Sequence, residues 1–428
     1  MKSFTEELKW RGMLHDMMPG TDEHLAAGIC KGYIGFDPTA DSLGVGNLVQ
    51  VMTLLHFQRA GHQPVALIGG ATGMVGDPSG KSAERNLLDE EQLRYNQECQ
   101  QRQSERFLDV RVGGQPVMIV NNYEWFREMG FLAFIRDVGK RITVNYMMAK
   151  DSVKNRLTGE NREGMSFTEF TYQLIQGYDF YYLWKHYGVK LQMGGSDQWG
   201  NITTGTELIR RLDGGEAFAL TTPLIRKADG TKFGKTEGGN IWLDARRTSP
   251  YKFYQFWLNA SDEDVKTYLR IFTLRQREEV EALEQEHQTD PASRVLQRAL
   301  AEELTSRIHS PEDLRQAVEA SRILFGQSAP EQLQALSERD VLDVFEGVPQ
   351  GSISITEIEA GLSITDALVK SGFLSSNSEA RRALQENSIS VNKDKAAPTR
   401  SIGTDDLLVG KYVLLQRGKK NYFLLKAE

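Results

Sequence analysis

Hydrophobic residues near the start of the chain form short apolar runs separated by a segment of helical spacing. Residues 31–36 and 64–68 predict two strands, and apolar residues recur at helical spacing from about 47 to 59 between them. This strand–helix–strand pattern predicts an α/β fold with a parallel sheet. Ligands of such sheets bind beyond the carboxyl ends of the strands, which here means residues 35–46 and 69–81.

A second patterned segment lies in the middle of the chain. Ser166-Phe167-Thr168-Glu169 has the form of a capping box and predicts the start of a helix. On that helix Tyr172, Gln176 and Asp179 fall at i, i+4 and i+7, on one face. A regular polar stripe is typical of a solvent face, but the apolar residues beside it are equally typical of a pocket wall. Further strands are predicted at 189–193 and 218–225.

The rest of the chain divides by character. Residues 84–150 are predicted to be mostly helical, with the richest apolar stretch at 131–148 serving as internal core or subunit interface. Residues 250–345 are predicted to be helical and acidic. A linker is predicted at 347–361, followed by two short helices and two strands that end near 417.

Composition narrows the class of protein. Hydrophobic residues make up 40% and charged residues 25% of the 428, and no apolar run approaches the roughly 18 residues of a membrane span. The first 16 residues lack the apolar core of a secretory signal. With Cys30 and Cys99 as the two cysteines and no metal-ligand spacing among the seven His, we expect a reducing cytoplasm, no membrane and no protein-bound metal.

Charge is distributed unevenly. The net charge is −7, yet residues 361–428 carry 11 Lys/Arg against 7 Asp/Glu. A basic tail on an acidic body predicts a separate module with a polyanionic partner, although a merely basic surface is the alternative.

The most specific indication of the protein's substrate comes from the stretch Lys232-Phe233-Gly234-Lys235-Thr236. Its two ammonium groups, three residues apart on a Gly-containing loop, are suited to the phosphates of a nucleoside triphosphate. The loop is not a P-loop, because Gly230 and Gly234 have three residues between them and not four, and the Gly-Lys-Ser at 80–82 has Val75 where the first Gly belongs. A solvated basic turn is the alternative.

Four blocks of sequence, in order along the chain, resemble those of bacterial tyrosyl-tRNA synthetases. They are Tyr33–Ser42 (YIGFDPTADS), Gly69–Ser79 (GGATGMVGDPS), Gln192–Asn201 (QMGGSDQWGN) and Lys232–Thr236 (KFGKT). The resemblance covers essentially the whole chain. The sister tryptophanyl enzymes and an RNA-binding protein on a synthetase scaffold are the alternatives.

The resemblance implies a Rossmann-like catalytic domain over 1–245, with a connective and dimerisation region inserted at about 84–160. It further implies a helical anticodon-side domain over 246–346, the linker at 347–361 and a C-terminal RNA-binding domain over 362–428. The implied enzyme is a cytoplasmic homodimer of class I. It would activate L-tyrosine with ATP, accompanied by Mg²⁺, to tyrosyl-adenylate and pyrophosphate, and then transfer tyrosine to the 3′ end of tRNA(Tyr).

The resemblance also implies roles for individual residues. The groups that would meet the pyrophosphate during catalysis are Thr39, Lys81, Arg85, Lys232, Lys235 and Thr236. The implied ATP site consists of Gly35, Asp37, Gly46, Asn47, Gly195, Asp197 and Lys235. The implied tyrosine site consists of Tyr33, Asp77, Tyr172, Gln176, Asp179 and Gln192. Candidate tRNA contacts in the basic tail are Arg381, Arg382, Arg417, Lys419 and Lys420.

One position departs from the family pattern. The second signature is normally His-x-Gly-His or His-x-Gly-Asn, and here it reads Gly44-Val45-Gly46-Asn47. Gly46 allows ATP to approach the backbone closely, but Gly44 replaces an imidazole that would donate to the γ-phosphate. We expect an isolated substitution in a competent enzyme, with more of the pyrophosphate charge on the Lys232 loop, so that Lys235→Ala is nearly inactivating.

Overall fold

The computed structural model describes most of the chain. The described residues are 3–79, 88–108, 115–158, 164–236, 239–325, 333–334, 336–345, 348–418 and 421–428. They pack as two compact units, one formed by Met1–Asp244 and Trp257–Ile308, the other by Ala245–Phe256 and His309–Glu428. Residues 257–308 therefore pack with the sheet of the first unit, and this grouping differs from the predicted division at 245/246.

The first unit is built on a six-stranded sheet in the order β1-β6-β5-β2-β3-β4. Its strands are β1 (Asp16–Met17), β2 (Lys31–Phe36), β3 (Gln63–Ile68), β4 (Met118–Asn121), β5 (Leu191–Gly195) and β6 (Phe218–Thr222). All neighbouring strands run parallel except β1, which pairs antiparallel with β6. The predicted α/β class with a parallel sheet is confirmed.

Ten α-helices are described up to residue 213, and several of them pack against this sheet, as expected for strands that are apolar along their whole length. They are α1 (Phe4–Arg11), α2 (Thr21–Ala26), α3 (Val45–Arg59), α4 (Glu90–Leu108), α5 (Tyr123–Phe126), α6 (Phe131–Asp137), α7 (Val144–Met148), α8 (Asp151–Thr158), α9 (Phe167–Tyr187) and α10 (Trp199–Asp213). Short strands β7 (Lys235–Thr236) and β8 (Gly239–Asn240) follow. The later helices of the chain are α11 (Pro250–Leu258), α12 (Asp262–Phe272), α13 (Arg277–Thr289), α14 (Val295–Ile308), α15 (Pro311–Phe325) and α16 (Glu338–Val344).

Two elements in the middle of the chain differ from the sequence-based expectation. Residues 118–121 form β4, the edge strand of the sheet, within the region that we expected to be mostly helical. At the start of α9 the Ser166 hydroxyl accepts from the amide of Glu169 at 3.2 Å, as the capping box predicts. Both oxygens of the Glu169 side chain also accept from the buried Arg156 guanidinium, at 3.0 and 3.1 Å, a contact that the capping box does not predict.

The second unit contains a five-stranded sheet in the order β12-β11-β14-β15-β9. Its strands are β9 (Gln350–Ile353), β11 (Ile389–Val391), β12 (Asp394–Lys395), β14 (Tyr412–Arg417) and β15 (Asn421–Ala427), with the small pair β10 (Leu362–Ser363) and β13 (Ser401–Ile402) beside it. Three short helices pack on it: α17 (Ile355–Glu359), α18 (Ile364–Lys370) and α19 (Asn377–Gln385).

Residues 350–359 correct the predicted linker. β9 pairs with β15 in parallel, and Ile353 and Ile358 belong to the hydrophobic core of the second unit. Burial of these two side chains makes the segment part of the folded module. No helix in the described parts of the chain is long and apolar enough to cross a membrane.

Candidate active site

A cavity of about 310 Å³ opens at the carboxyl ends of the parallel strands. β2 and β5 pair only at Gly32–Tyr33 with Leu191–Gln192 and then separate, whereas β2 stays paired with β3 along six residues. The chain winds from β2 to β3 and β4 on one side and to β5 and β6 on the other. The cavity therefore lies at the point where the winding changes direction, the usual ligand site of open α/β sheets.

The polar side chains around this cavity come from distant parts of the sequence. Among its lining residues are Tyr33, Asp37, Thr39, Asn47, Gln50, Thr72, Asp77, Tyr172, Gln176, Asp179, Gln192, Asp197 and Gln198. The regular stripe on α9 is thus a pocket wall, and the alternative of a solvent face is wrong.

One end of the cavity holds a buried hydroxyl and a buried carboxylate. Tyr33 and Asp179 are each 1% exposed. The Tyr33 hydroxyl has no hydrogen-bond partner among the described residues. The Asp179 carboxylate accepts from Trp125 Nε1 at 2.9 Å and from Asn122 Nδ2 at 3.0 Å. A buried hydroxyl without a partner is costly, so this end of the cavity is suited to a ligand that carries a polar group of its own.

Burial dominates the titration of this pair. It raises the pKa of Asp179 to about 8, although the hydrogen bonds from Asn122 and Trp125 act in the opposite direction. Burial, assisted by the Asp179 charge, raises the pKa of the Tyr33 hydroxyl well above its usual value. Tyr33 is therefore a neutral hydroxyl, and Asp179 is a carboxyl group whose ionised form gains from any additional donor.

Asp37 is held by two hydroxyl groups. Its carboxylate accepts from the Tyr172 hydroxyl and from Thr72 Oγ1, both at 2.7 Å. Thr72 in turn accepts from Asn122 at 3.1 Å, and Asn122 also donates to Asp179, so Thr72 and Asn122 together link the two carboxylates. This arrangement places Asp37 next to Tyr172 of the implied tyrosine site, in addition to the ATP role that the sequence implied.

A second hydrogen-bonded group surrounds Asp77. Its carboxylate accepts from Gln198 Nε2 at 2.7 Å and from the Ser79 amide at 2.9 Å. Asn201 Nδ2 donates to Gln176 Oε1 at 3.1 Å and to Gln198 Oε1 at 3.2 Å. Asp77 and Gln176 therefore present a negative charge and an amide to the same side of the cavity, which suits a ligand ammonium group.

The start of α3 forms another wall. Gly46 and Asn47 line the cavity, and an added Cβ at Gly46 would meet nothing within 4 Å. Because no protein atom occupies this space, the Gly46 backbone is accessible from the cavity. A Cβ at Gly195, which also lines the cavity, would stand 2.6 Å from Asp197 Oδ1, so a side chain there would displace the Asp197 carboxylate.

Gly44 is the N-cap of α3 and is fixed by the chain after the lysine loop. Its amide donates to Asn47 Oδ1 at 3.0 Å, and it forms an antiparallel bridge with Trp242. The Val45 amide donates to Ile241 O at 3.0 Å. The helix thus begins in a fixed position although Gly44 has no side chain to cap it.

The Lys232 loop is anchored beside the same helix start. Phe233 contacts the rings of Tyr268 and Phe272, with centroids 5.0 and 5.4 Å apart. Gly234 adopts φ 79°, and an added Cβ would stand 2.8 Å from Val45 Cγ2. The loop therefore lies next to the first turn of α3, with Lys232 exposed and outside the cavity lining.

The structure brings together most of the residues that the sequence predicted. Every implied tyrosine-site residue lines the cavity, as do Thr39, Gly35, Asp37, Gly46, Asn47, Gly195 and Asp197. Lys81, Arg85, Lys419 and Lys420 lie outside the described residues, and so do the side chains of Lys235 and Thr236. In the second unit Arg381 and Arg382 are exposed on α19, whereas Arg417 is paired with Glu379 at 2.6 Å.

Sequence analysis missed four residues that shape the site. Asn122 and Trp125 follow β4 and fix the Asp179 carboxylate, Thr72 orients Asp37, and Gln198 contacts Asp77. A usable signal existed for Asn122, because Asn121-Asn122 follow an apolar run just as Asp37 follows β2. Among the described residues, no group of three or more His, Cys, Asp or Glu is placed to hold a metal ion.

An apolar surface covers α6 and α7. Phe131, Leu132 and Val144 are 67%, 80% and 62% exposed, and Ile135 and Met148 are also exposed. We refer to these five residues as the α6–α7 face. Such a concentration of exposed large apolar side chains is unusual for a surface in contact only with water.

Comparison with known proteins places this geometry in a family. Residues 28–326 match the model of class I tRNA synthetases of the tryptophan and tyrosine type, and residues 340–425 match the C-terminal domain of tyrosine–tRNA ligases. The chain is 59% identical to a tyrosine–tRNA ligase of Flavobacterium johnsoniae and 60% identical to one of Bacteroides thetaiotaomicron, each over 100% of both chains. A C-terminally truncated mitochondrial tyrosyl-tRNA synthetase of Aspergillus nidulans superposes with a TM-score of 0.66 at 31% identity, covering 76% of this chain and 95% of that one.

Proposed function

Since the chain belongs to the class I tyrosyl-tRNA synthetases and is a tyrosine–tRNA ligase that uses ATP, we propose how its own residues perform the two steps. The observation that carries this assignment is the buried Tyr33 hydroxyl, which has no partner in the part of the chain that the structure describes and lines the cavity together with the buried Asp179. A substrate phenol that donates to Asp179 and accepts from Tyr33 would satisfy both groups. Phenylalanine would leave them unpaired, and tyrosyl-tRNA synthetase is the established example of this mode of discrimination.

The amino-acid end of the substrate extends toward α3. Asp77, Tyr172 and Gln176 hold the ammonium group, and Gln192 borders the tyrosyl-adenylate. The tyrosine carboxylate oxygen then attacks the α-phosphorus of ATP as the bond to the pyrophosphate oxygen breaks. No protein nucleophile is needed, so the protein contributes position and charge.

The leaving pyrophosphate is stabilised from two sides. Thr39, the Gly46 backbone and the positive end of the α3 dipole act from one side. Lys232, Lys235 and Thr236 act from the loop, together with Lys81 and Arg85. Mg²⁺ enters as part of the ATP substrate complex, and Asn47 and Asp197 bind on the ribose side. In the second step a terminal ribose hydroxyl of tRNA(Tyr) attacks the tyrosyl carbonyl and AMP leaves.

The test is tyrosine-dependent ATP–pyrophosphate exchange followed by charging of tRNA(Tyr). We expect exchange with L-tyrosine and not with L-phenylalanine or L-tryptophan. Tyr33→Phe removes only the hydroxyl and should reduce the tyrosine-over-phenylalanine preference roughly tenfold. Exchange with tryptophan, or a variant with unchanged preference, would contradict the assignment.

We propose that the α6–α7 face joins two copies of the chain in a homodimer. Its exposed apolar side chains support a self-complementary contact about a twofold axis. Leu132→Glu should convert the dimer to a monomer in light scattering, whereas Ile29→Glu, at an apolar residue 58% exposed outside this face, should not. A monomeric wild-type chain would refute this proposal.

We propose Arg381 and Arg382 as phosphate contacts for tRNA(Tyr), with Lys419 and Lys420. Arg417 enters this set less directly because it is already paired with Glu379. Replacing Arg381 and Arg382 with Gln should make the salt dependence of tRNA binding shallower by about two units of slope. Deletion of 350–428 should abolish charging and spare adenylate formation.

Both cysteines are buried free thiols, which supports a reducing, cytoplasmic location.

A further inference from the structure

Helix α4 buries a row of amide side chains on one face. Asn96 and Gln100 are each 2% exposed, and Gln103 is half-buried. Their spacing of four and then three residues aligns them along the helix over about 10 Å. Asn and Gln are usually exposed, so a buried row of them requires specific partners.

These partners are three backbone groups and one hydroxyl of the segment that links β2 to α3. Asn96 Nδ2 donates to Pro38 O at 3.0 Å, and Gln100 Nε2 donates to Ala40 O at 2.9 Å. Gln103 Oε1 accepts from the Leu43 amide at 2.8 Å, and its Nε2 donates to the Ser42 hydroxyl at 3.1 Å. We call Asn96, Gln100 and Gln103 the amide row and residues 37–43 the β2–α3 loop.

The β2–α3 loop has no helix or strand of its own to fix its shape. Its residues alternate in direction, since the carbonyls of Pro38 and Ala40 meet the amide row while Asp37 and Thr39 line the cavity. The loop ends at Gly44, where α3 begins. The amide row therefore contacts the side of the loop that faces away from the cavity, and from there it sets the position of Thr39 and of the helix start.

We propose that the amide row consists of positioning residues that hold the β2–α3 loop in the geometry that ATP requires. The inference deepens the proposed function and rests on it. It concerns the nucleotide and pyrophosphate, because the loop leads into Thr39 and the first turn of α3. The tyrosine side is affected less, because the Asp37 carboxylate is also held by Tyr172 and Thr72, each at 2.7 Å.

Gln100 is the residue of the amide row at which a positioning role can be distinguished from a contribution to stability. Its Nε2 is bonded, but its Oε1 is buried with no hydrogen-bond partner among the described residues. Replacing Gln100 with an apolar side chain of similar shape removes the unsatisfied Oε1 but also takes a donor from the half-buried Ala40 carbonyl, so the two effects on stability oppose each other. Gln100 is thus better explained by what it does to the loop than by the stability that it adds.

The experiment compares Gln100→Met with Gln101→Met. The two changes are chemically identical, but Gln101 is exposed and donates to Glu105 on its own helix at 3.0 Å. For Gln100→Met we expect the melting temperature to stay within a few degrees of wild type. We expect kcat/KM for ATP in pyrophosphate exchange to fall roughly tenfold while the Kd for L-tyrosine, measured by calorimetry, changes less than twofold. Gln101→Met should match wild type in all three.

Gln103→Met provides a second measurement at the other end of the row. It should show the same split between ATP and tyrosine, since it removes the contacts to Leu43 and Ser42. Equal losses for ATP and tyrosine, or an unchanged kcat/KM for ATP in both variants, would overturn the inference while leaving the proposed function intact. A wild-type chain without tyrosine-dependent exchange would instead contradict the proposed function, and this inference with it.

Discussion

Introducing an imidazole at position 44 should raise the rate of tyrosine activation. Gly44 has φ −96° and ψ 170°, extended backbone that any residue adopts. An added Cβ would stand 3.3 Å from Ile241 O and 3.9 Å from Asn47 Oδ1. Gly44→His can therefore enter the native fold after a shift of a few tenths of an ångström.

The size of the gain follows from what a preorganised donor contributes. One such donor to charge that develops on a leaving group is worth about 3–4 kcal/mol. The tight contact with Ile241 O costs on the order of 1 kcal/mol, which leaves about 2–3 kcal/mol. At about 1.4 kcal/mol per factor of ten, exchange should rise by roughly 30- to 150-fold.

The assay is ATP–pyrophosphate exchange at saturating tyrosine, with Gly44→Ala as the matched control. The alanine variant introduces the same Cβ without the imidazole, so it should equal the parent or fall slightly below it. The gain should appear in kcat and not in tyrosine binding. An exchange rate that changes less than tenfold in Gly44→His, or an equal gain in the alanine variant, would refute the reasoning that the imidazole is the missing donor.

The remaining predictions concern the surroundings of Asp179 and the lysine loop. Trp125→Phe removes the N–H that donates to Asp179 at 2.9 Å. In pyrophosphate exchange, kcat/KM for tyrosine should therefore fall about 10- to 100-fold while the KM for ATP stays unchanged. Equal effects on both substrates would contradict a role of Trp125 in holding Asp179. Burial raises the pKa of Asp179 to about 8. Because a phenol donor binds the ionised carboxylate, calorimetry should show the affinity for tyrosine rising with pH up to about 8 and then levelling. The same profile should be flat in Asp179→Asn. By the same linkage, the raised pKa makes the contribution of Asp179 to folding stability fall as pH rises from about 4 to about 8. Phe233→Ala removes the ring that anchors the lysine loop and should raise the KM for ATP more than the Kd for tyrosine, whereas Phe167→Ala, at a ring that is 65% exposed, should change neither.

Local patterns predicted the centre of the sheet well. β2 was placed at its observed bounds, and β3 and α3 begin only one and two residues earlier than predicted. These elements are long and buried, so their apolar positions carry a strong period. Because parallel strands share one polar edge, the site itself could also be anticipated from the residues that follow them.

Contacts between distant residues were not predictable in this way. Asn122 and Asp179 are 57 residues apart, and β4 is only four residues long, too short for a clear pattern. The amide row was hidden for a different reason. A polar stripe on a helix is usually a solvent face, and only the packed loop reveals that Gln100 and its neighbours are buried.

Pairing of β9 with β15 determines where the chain can be divided into fragments that fold. A fragment that starts at 362 would leave β15 as an open edge carrying Phe423, Leu424 and Leu425, and it would remove Ile353 and Ile358 from the core. Open apolar edges associate with one another, so such a fragment should aggregate. A fragment that starts at 348 keeps the edge covered, and it is the version of the tail in which RNA binding can be measured apart from catalysis.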